Sequence, residues 1–178
     1  MGNHLLFTSG QLTIGVELCE DLWVPVPPSS FLAMEGANLI VNLSASNELI
    51  GKHHYLRSLI SQQSARCIAG YLYASAGFGE SSTDLVFAGN GIIAENGKLL
   101  AESPRFTREE QLVISEIDTG SLQSDRQTNT SFMQGAQSLL PTTSQTVPFT
   151  LWQPERFRLT REVDAHPFTP SGDALNER

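Results

Sequence analysis

The sequence predicts an α/β fold, and three observations carry that prediction. Leu12–Leu18, Asn38–Ser44 and Tyr71–Ser75 read as strands, the first by strict alternation of apolar and other residues. A stretch with a helical apolar stripe lies between the second and third, and strand, helix, strand, helix, strand is the order from which α/β sheets are built. Farther along, Asn96-Gly97 between two apolar runs is the strongest short-range hairpin signal.

In chain order, His4 to Thr8 reads as a short strand and Ser9-Gly10 as a turn. Leu12, Ile14, Val16 and Leu18 then alternate with Thr13, Gly15, Glu17 and Cys19, which puts four apolar side chains on one face. The strand stops at Cys19, followed by Glu20 and Asp21 and then by Pro25-Val26-Pro27-Pro28, which cannot continue a ladder. At a sharp strand-to-loop exit a thiol can reach a cleft, and the next backbone N–H can point at a substrate oxygen. The alternative is a buried core cysteine, since free cysteine is among the most buried residue types.

Ser29 is placed as the N-cap of a short helix ending at Gly36. In the strand from Asn38 to Ser44, Leu39, Val41 and Leu43 face one way and Ile40, Asn42 and Ser44 the other, so cover on both faces is expected. A loop leads to a helix from Lys52 to Ala69 with an apolar stripe through Leu56, Leu59, Ile60 and Cys67. Cys67 on that stripe reads as core. Strands are expected over Asp84–Ala94 and Leu99–Glu102, flanking the hairpin turn, and over Leu112–Ile117, with a weak helix from Asp118 to Met133. After Pro141 the chain is rich in Thr, Ser and Pro without periodicity, so residues 1–140 are expected to form the folded unit and 141–178 an extended arm or connector.

Bulk properties narrow the partners. The 178 residues carry a net charge of −8, which argues against nucleic acid or an anionic membrane as the main partner. No apolar run approaches the roughly 18 residues of a membrane span, and Met1–Phe7 lacks the basic start and long apolar region of a secretory signal. Two cysteines, Cys19 and Cys67, form at most one disulfide, which suits a reducing, cytoplasmic setting.

Three further clusters carry residue types capable of chemistry. The loop Asn42-Leu43-Ser44-Ala45-Ser46-Asn47-Glu48 is unusually polar for the end of a buried strand, where α/β folds place ligands, although helix capping by Ser46 or Asn47 explains it equally well. Gly77-Phe78-Gly79-Glu80-Ser81-Ser82-Thr83-Asp84 has neither the third glycine nor the following helix of a phosphate loop and reads as the rim of a pocket. His53 and His54 point about 100° apart on a helix, cannot share a metal as an i, i+4 pair does, and read as surface residues.

Together these residues spell a resemblance. Gly15-Val16-Glu17-Leu18-Cys19-Glu20-Asp21-Leu22-Trp23 with Pro27-Pro28-Ser29 resembles the nucleophile segment of the glutamine amidotransferase domain of glutamine-dependent NAD synthetases, in the nitrilase, or carbon–nitrogen hydrolase, superfamily. The likeness continues through Gly36-Ala37, the loop 42–48, Gly51-Lys52, Ser64-Ala65-Arg66, Tyr71, Tyr73 and Gly79–Leu85. Arg161-Glu162-Val163-Asp164-Ala165-His166-Pro167-Phe168-Thr169-Pro170 resembles the family's connector to its synthetase domain.

The resemblance implies a four-layer α-β-β-α sandwich, present here as a partial domain. It also implies hydrolysis of L-glutamine to supply ammonia to the synthetase domain, which uses ATP and Mg to amidate nicotinic acid adenine dinucleotide. By position Cys19 is the nucleophile, the backbone N–H of Glu20 an oxyanion donor, and Ser46 and Lys52 bind glutamine. A homo-oligomer is expected, with no cofactor or metal held by this part. In the family the general-base Glu and the oxyanion-holding Lys precede the Cys by more than the 18 residues available here, and this chain has only Lys52 and Lys98. Glu17, Glu20 and Asp21 add negative charge beside a thiol that needs a cation and a base. The chain is therefore expected to be the C-terminal part of that domain, inactive by itself. The alternatives are a stand-alone amidase, carbamoylase or nitrilase, which has no use for an onward connector, and a non-catalytic assembly module of the same fold.

Overall fold

A computed structural model describes residues 5–138, 144–152, 158, 160 and 161. Strands β1 (Leu5–Ser9), β2 (Leu12–Leu18), β3 (Leu39–Ser44), β4 (Gly70–Ser75), β5 (Gly91–Glu95), β6 (Lys98–Glu102) and β7 (Gln145–Pro148) form one mixed sheet in the order β6-β5-β4-β3-β2-β1-β7. β2, β3 and β4 run parallel, joined through helices α1 (Pro28–Met34) and α2 (Lys52–Cys67). The other neighbours are antiparallel, apart from β7 beside β1. Helices α3 (Thr119–Thr128) and α4 (Thr130–Ser138) follow.

The hairpin forms where its dipeptide placed it: Asn96 at φ 45° and Gly97 at φ 89° give the turn both positive φ values that match strand twist. Its first strand is shorter than expected, because 84–90 is loop and pairing begins only at Gly91. Helix α1 starts one residue before the expected cap. Pro28 occupies the first helical position, where its fixed φ suits and its missing N–H costs nothing, and Ser29 lies inside the helix.

Leu56, Ile60 and Cys67 of the α2 stripe are buried as expected, with Leu59 packed against them. They meet Leu6, Ile40, Tyr71, Tyr73, Ile92 and Ala94 from one face of the sheet. α1 lies so close to β2 that a Cβ on Gly15 would stand 3.0 Å from the Leu32 Cβ. α2 stops short of the expected Ala69 because Ile68 turns left-handed at φ 45°. Arg126 caps that end, its guanidinium donating to the Ile68, Ala37 and Cys67 carbonyls at 2.6–3.0 Å. Burial there holds Arg126 down to about 10.

The opposite face corrects an expectation. β3 is fully covered on one side only: on the other, Leu39 and Val41 are half-buried and Leu43 is 54% exposed, while Val16 and Leu18 of β2 are 40% and 57% exposed. The alternating apolar set of β2 thus looks away from the helices, and its inward set is Thr13, Gly15 and Glu17. A four-layer sandwich sets a second sheet against such a face; the described residues make one sheet and its helical layer.

Leu112–Ile117 is not a strand either. It crosses this open face, placing Val113 3.2 Å from a Cβ built on Gly91 and Ile117 3.0 Å from one built on Gly70, and leaves Leu112 and Ile114 exposed. The weak helix expected over 118–133 is two helices, because the Asn129 side chain accepts the Phe132 N–H and starts α4. Beyond Pro141 the chain supplies β7 to the sheet edge, and most of the connector, residues 162–170, lies outside the described residues. No described helix is long and apolar enough to cross a membrane.

Candidate active site

β2 delivers Cys19 to the carboxyl end of the parallel strands, the end where open α/β sheets bind ligands. There the chain leaves the strand through a 3-10 turn, Cys19–Trp23, and Cys19 itself takes φ 46°. A left-handed non-glycine residue costs roughly 1–2 kcal/mol, and such strain persists only where the surroundings over-determine it. Two contacts do so. Leu22 is fully buried beneath the turn, and the Asp21 carboxylate accepts the Leu18 N–H at 2.8 Å. The Cys19 thiol is free and half-buried.

The first N–H groups of a helical turn have no partner within it, and Glu20 occupies that position with its side chain exposed. Of the three carboxylates beside Cys19, Asp21 is thus folded back on the strand and Glu20 faces solvent. Glu17, 2% exposed, points into the helical layer, where it accepts the Ser29 N–H at 2.8 Å and the Tyr71 hydroxyl. Burial and the Glu17 charge push Tyr71 far above the usual phenol range, so its hydroxyl stays a donor.

Lys52 opens α2, and its ammonium donates to the Asn47 carbonyl at 2.7 Å and to Asn47 Oδ1 at 3.1 Å. It also stands 5.1 Å from the ring centre of Trp23, the last residue of the Cys19 turn, which in turn packs on Tyr55 at 5.7 Å. Lys52 and the nucleophile turn, 33 positions apart in sequence, thus share one neighbourhood. Ser46 is half-buried in the loop after β3, whose Leu43 pairs with Leu18 next to Cys19. That loop is fastened to Val86, two residues beyond the 77–84 segment, by Glu48 N–H to Val86 O at 2.8 Å, and to Arg105 by an ion pair at 3.3 Å.

His53 pairs with Glu102 at 2.9 Å, beside Arg57, and burial with the nearby Arg105 lowers its pKa; His54 is exposed. Cys67 is core, its thiol pushed up to about 12 by burial, which leaves it unreactive. Sequence reasoning did not find the Trp23–Tyr55 platform or the buried Glu17–Tyr71 contact. An acidic residue at a strand position two before the nucleophile was the available signal.

Residues 2–127 match the model of the carbon–nitrogen hydrolase family. The chain belongs to that family. Among curated members, it is 41% identical over 176 residues to the glutamine-dependent NAD(+) synthetase of Mycobacterium leprae (strain TN), covering 96% of this chain and 26% of that protein. The protein of the same name from Mycobacterium tuberculosis (strain ATCC 25618 / H37Rv) is 40% identical over the same shares. The chain spans about a quarter of the length of these relatives. The crystal structure of a glutamine-dependent NAD(+) synthetase from Cytophaga hutchinsonii superposes with a TM-score of 0.52 at 27% identity, over 62% of this chain and 17% of that one. The family's four-layer fold thus accounts for the open sheet face described above.

Proposed function

We propose that this chain is the nucleophile-bearing part of the glutaminase of a glutamine-dependent NAD synthetase. Cys19, as thiolate, attacks the carboxamide carbon of L-glutamine. The backbone N–H of Glu20 donates to the oxyanion, the C–N bond breaks, ammonia leaves with a proton, and water hydrolyses the thioester to glutamate. The ammonia passes to a synthetase domain of the same protein for ATP-dependent amidation of nicotinic acid adenine dinucleotide. ATP and Mg²⁺ belong to that domain. The Gly77–Leu85 segment of this chain holds a three-residue 3-10 turn and no helix N-terminus to cradle phosphates.

The observation that carries the reading is the left-handed Cys19 at a strand end, in a chain matched almost end to end by proteins bearing that name. Two free cysteines suit the cytoplasm, and the uncovered apolar strand face suits burial within a larger, homo-oligomeric assembly. The test is isotopic. Given [amide-15N]glutamine, ATP and the acid dinucleotide, the complete protein should yield 15N-labelled NAD; unlabelled product, or none, would refute the reading.

Ser46 and Lys52 are assigned to glutamine binding, Lys52 through its ammonium to the substrate carboxylate. A charged hydrogen bond is worth about 1.5–3 kcal/mol. Lys52→Ala should therefore raise the KM for glutamine roughly ten- to hundred-fold with a smaller change in kcat. Steady-state kinetics against glutamine check this, and an unchanged KM removes Lys52 from the site.

A further inference from the structure

The buried carboxylate of Glu17 lies two residues before Cys19 and faces the helices rather than the open side of the sheet. Its described partners are uncharged donors from three separate elements: the Ser29 N–H of α1 at 2.8 Å, the Asn42 amide of β3 at 3.5 Å and the Tyr71 hydroxyl of β4. A carboxylate kept in the interior on neutral donors alone is costly. Core stability would be served better by an apolar residue, so the group needs another explanation.

The bond to Ser29 joins β2 directly to α1 and closes the stretch that carries the nucleophile turn and the prolines. Asn42 and Tyr71 fix the same carboxylate laterally across two neighbouring strands. On its other side the Leu18 N–H is held by Asp21. Cys19, at φ 46°, therefore leaves a strand end whose last two residues are anchored independently.

We infer that Glu17 is a positioning residue for Cys19: its buried carboxylate, held by Ser29, Asn42 and Tyr71, fixes the strand end from which the nucleophile turns out. The inference rests on Cys19 being the nucleophile of a glutaminase.

The experiment compares Glu17→Gln, Tyr71→Phe and Cys19→Ala in the complete protein. Glutamine-driven and ammonia-driven synthesis are measured, together with the pH profile of kcat/KM and the fraction of chains whose Cys19 is alkylated by iodoacetamide. Glu17→Gln keeps the shape and removes the charge. Its glutamine-driven kcat should fall about ten- to hundred-fold, the scale of a misplacement of roughly an ångström. KM, ammonia-driven synthesis, the midpoint of the pH profile and the alkylated fraction should stay at the parent values. Tyr71→Phe, the milder change, should show a smaller loss of the same kind, and it decides the matter if Glu17→Gln does not fold.

A parent-like kcat in the folded variants overturns the inference. So does a loss matched by a smaller alkylated fraction, which would make Glu17 a folding residue only, or a displaced pH midpoint, which would make it a charge acting on the thiol. Glutamine use lost in Cys19→Ala but kept in Glu17→Gln overturns this inference alone. Glutamine use that survives Cys19→Ala overturns the reading of the site and this inference with it.

Discussion

In the complete protein, Cys19→Ala is expected to abolish synthesis of NAD from glutamine while synthesis from free ammonia continues at the parent rate. Removing a covalent nucleophile from a hydrolase costs on the order of 10⁶-fold in kcat, because no other group can form the acyl intermediate. Cys67, the other thiol, is 2% exposed, so it offers no substitute. A second variant separates chemistry from backbone. Cys19 holds φ 46°, a conformation that glycine adopts without penalty. Cys19→Gly should therefore be as inactive with glutamine as Cys19→Ala but more stable than it, by about 1 kcal/mol, read as a higher Tm. Equal loss with both nitrogen donors in a folded Cys19→Ala would assign the thiol a role in synthesis itself. A Cys19→Gly no more stable than Cys19→Ala would show that the turn carries no strain.

What the sequence made legible and what it hid differ by the range of the interactions involved. β2, the hairpin and α2 were readable because their signals are local: strict alternation ending at prolines, Asn96-Gly97, and a stripe at helical spacing. Leu112–Ile117 carries apolar residues that read equally well as a strand, but its partner is the face of a sheet rather than an edge, a choice made by distant residues such as Gly70 and Gly91. β7 has no pattern at all, and only its pairing with β1 at the other end of the chain makes it a strand.

The site divides in the same way. Cys19 at a strand exit was visible in one dimension, but the meeting of Lys52 with Trp23 depends on how α2 is set beside the turn. The burial of Glu17 was not legible for a physical reason. Alternation placed it opposite four apolar residues, where a strand with one buried face would put solvent. In this sheet the more polar face of β2 is the buried one, because the helices pack there.

The 178-residue chain, purified by itself, should show no glutaminase activity even where it folds. Thioester formation requires a thiolate, a base to manage the proton and charge stabilisation at the oxyanion. The chain offers the thiol and one backbone donor. Its two lysines are placed against the remaining role. Lys98 lies in the β5–β6 hairpin, whose turn adjoins Gly70 at the far end of β4 from the residues level with Cys19. Lys52 is engaged with Asn47 and Trp23. A missing general base costs about 10²–10⁴-fold and a missing oxyanion donor about 10²–10³-fold, so the product falls below detection. The exposed face of Val16, Leu18 and Leu43 should also make the isolated chain self-associate, as continuous apolar patches do, which sedimentation would show as species heavier than one chain. Ammonia release from glutamine is measured beside a Cys19→Ala control. Release that disappears only in the control would mean that this chain does contain a base and a cation able to serve Cys19.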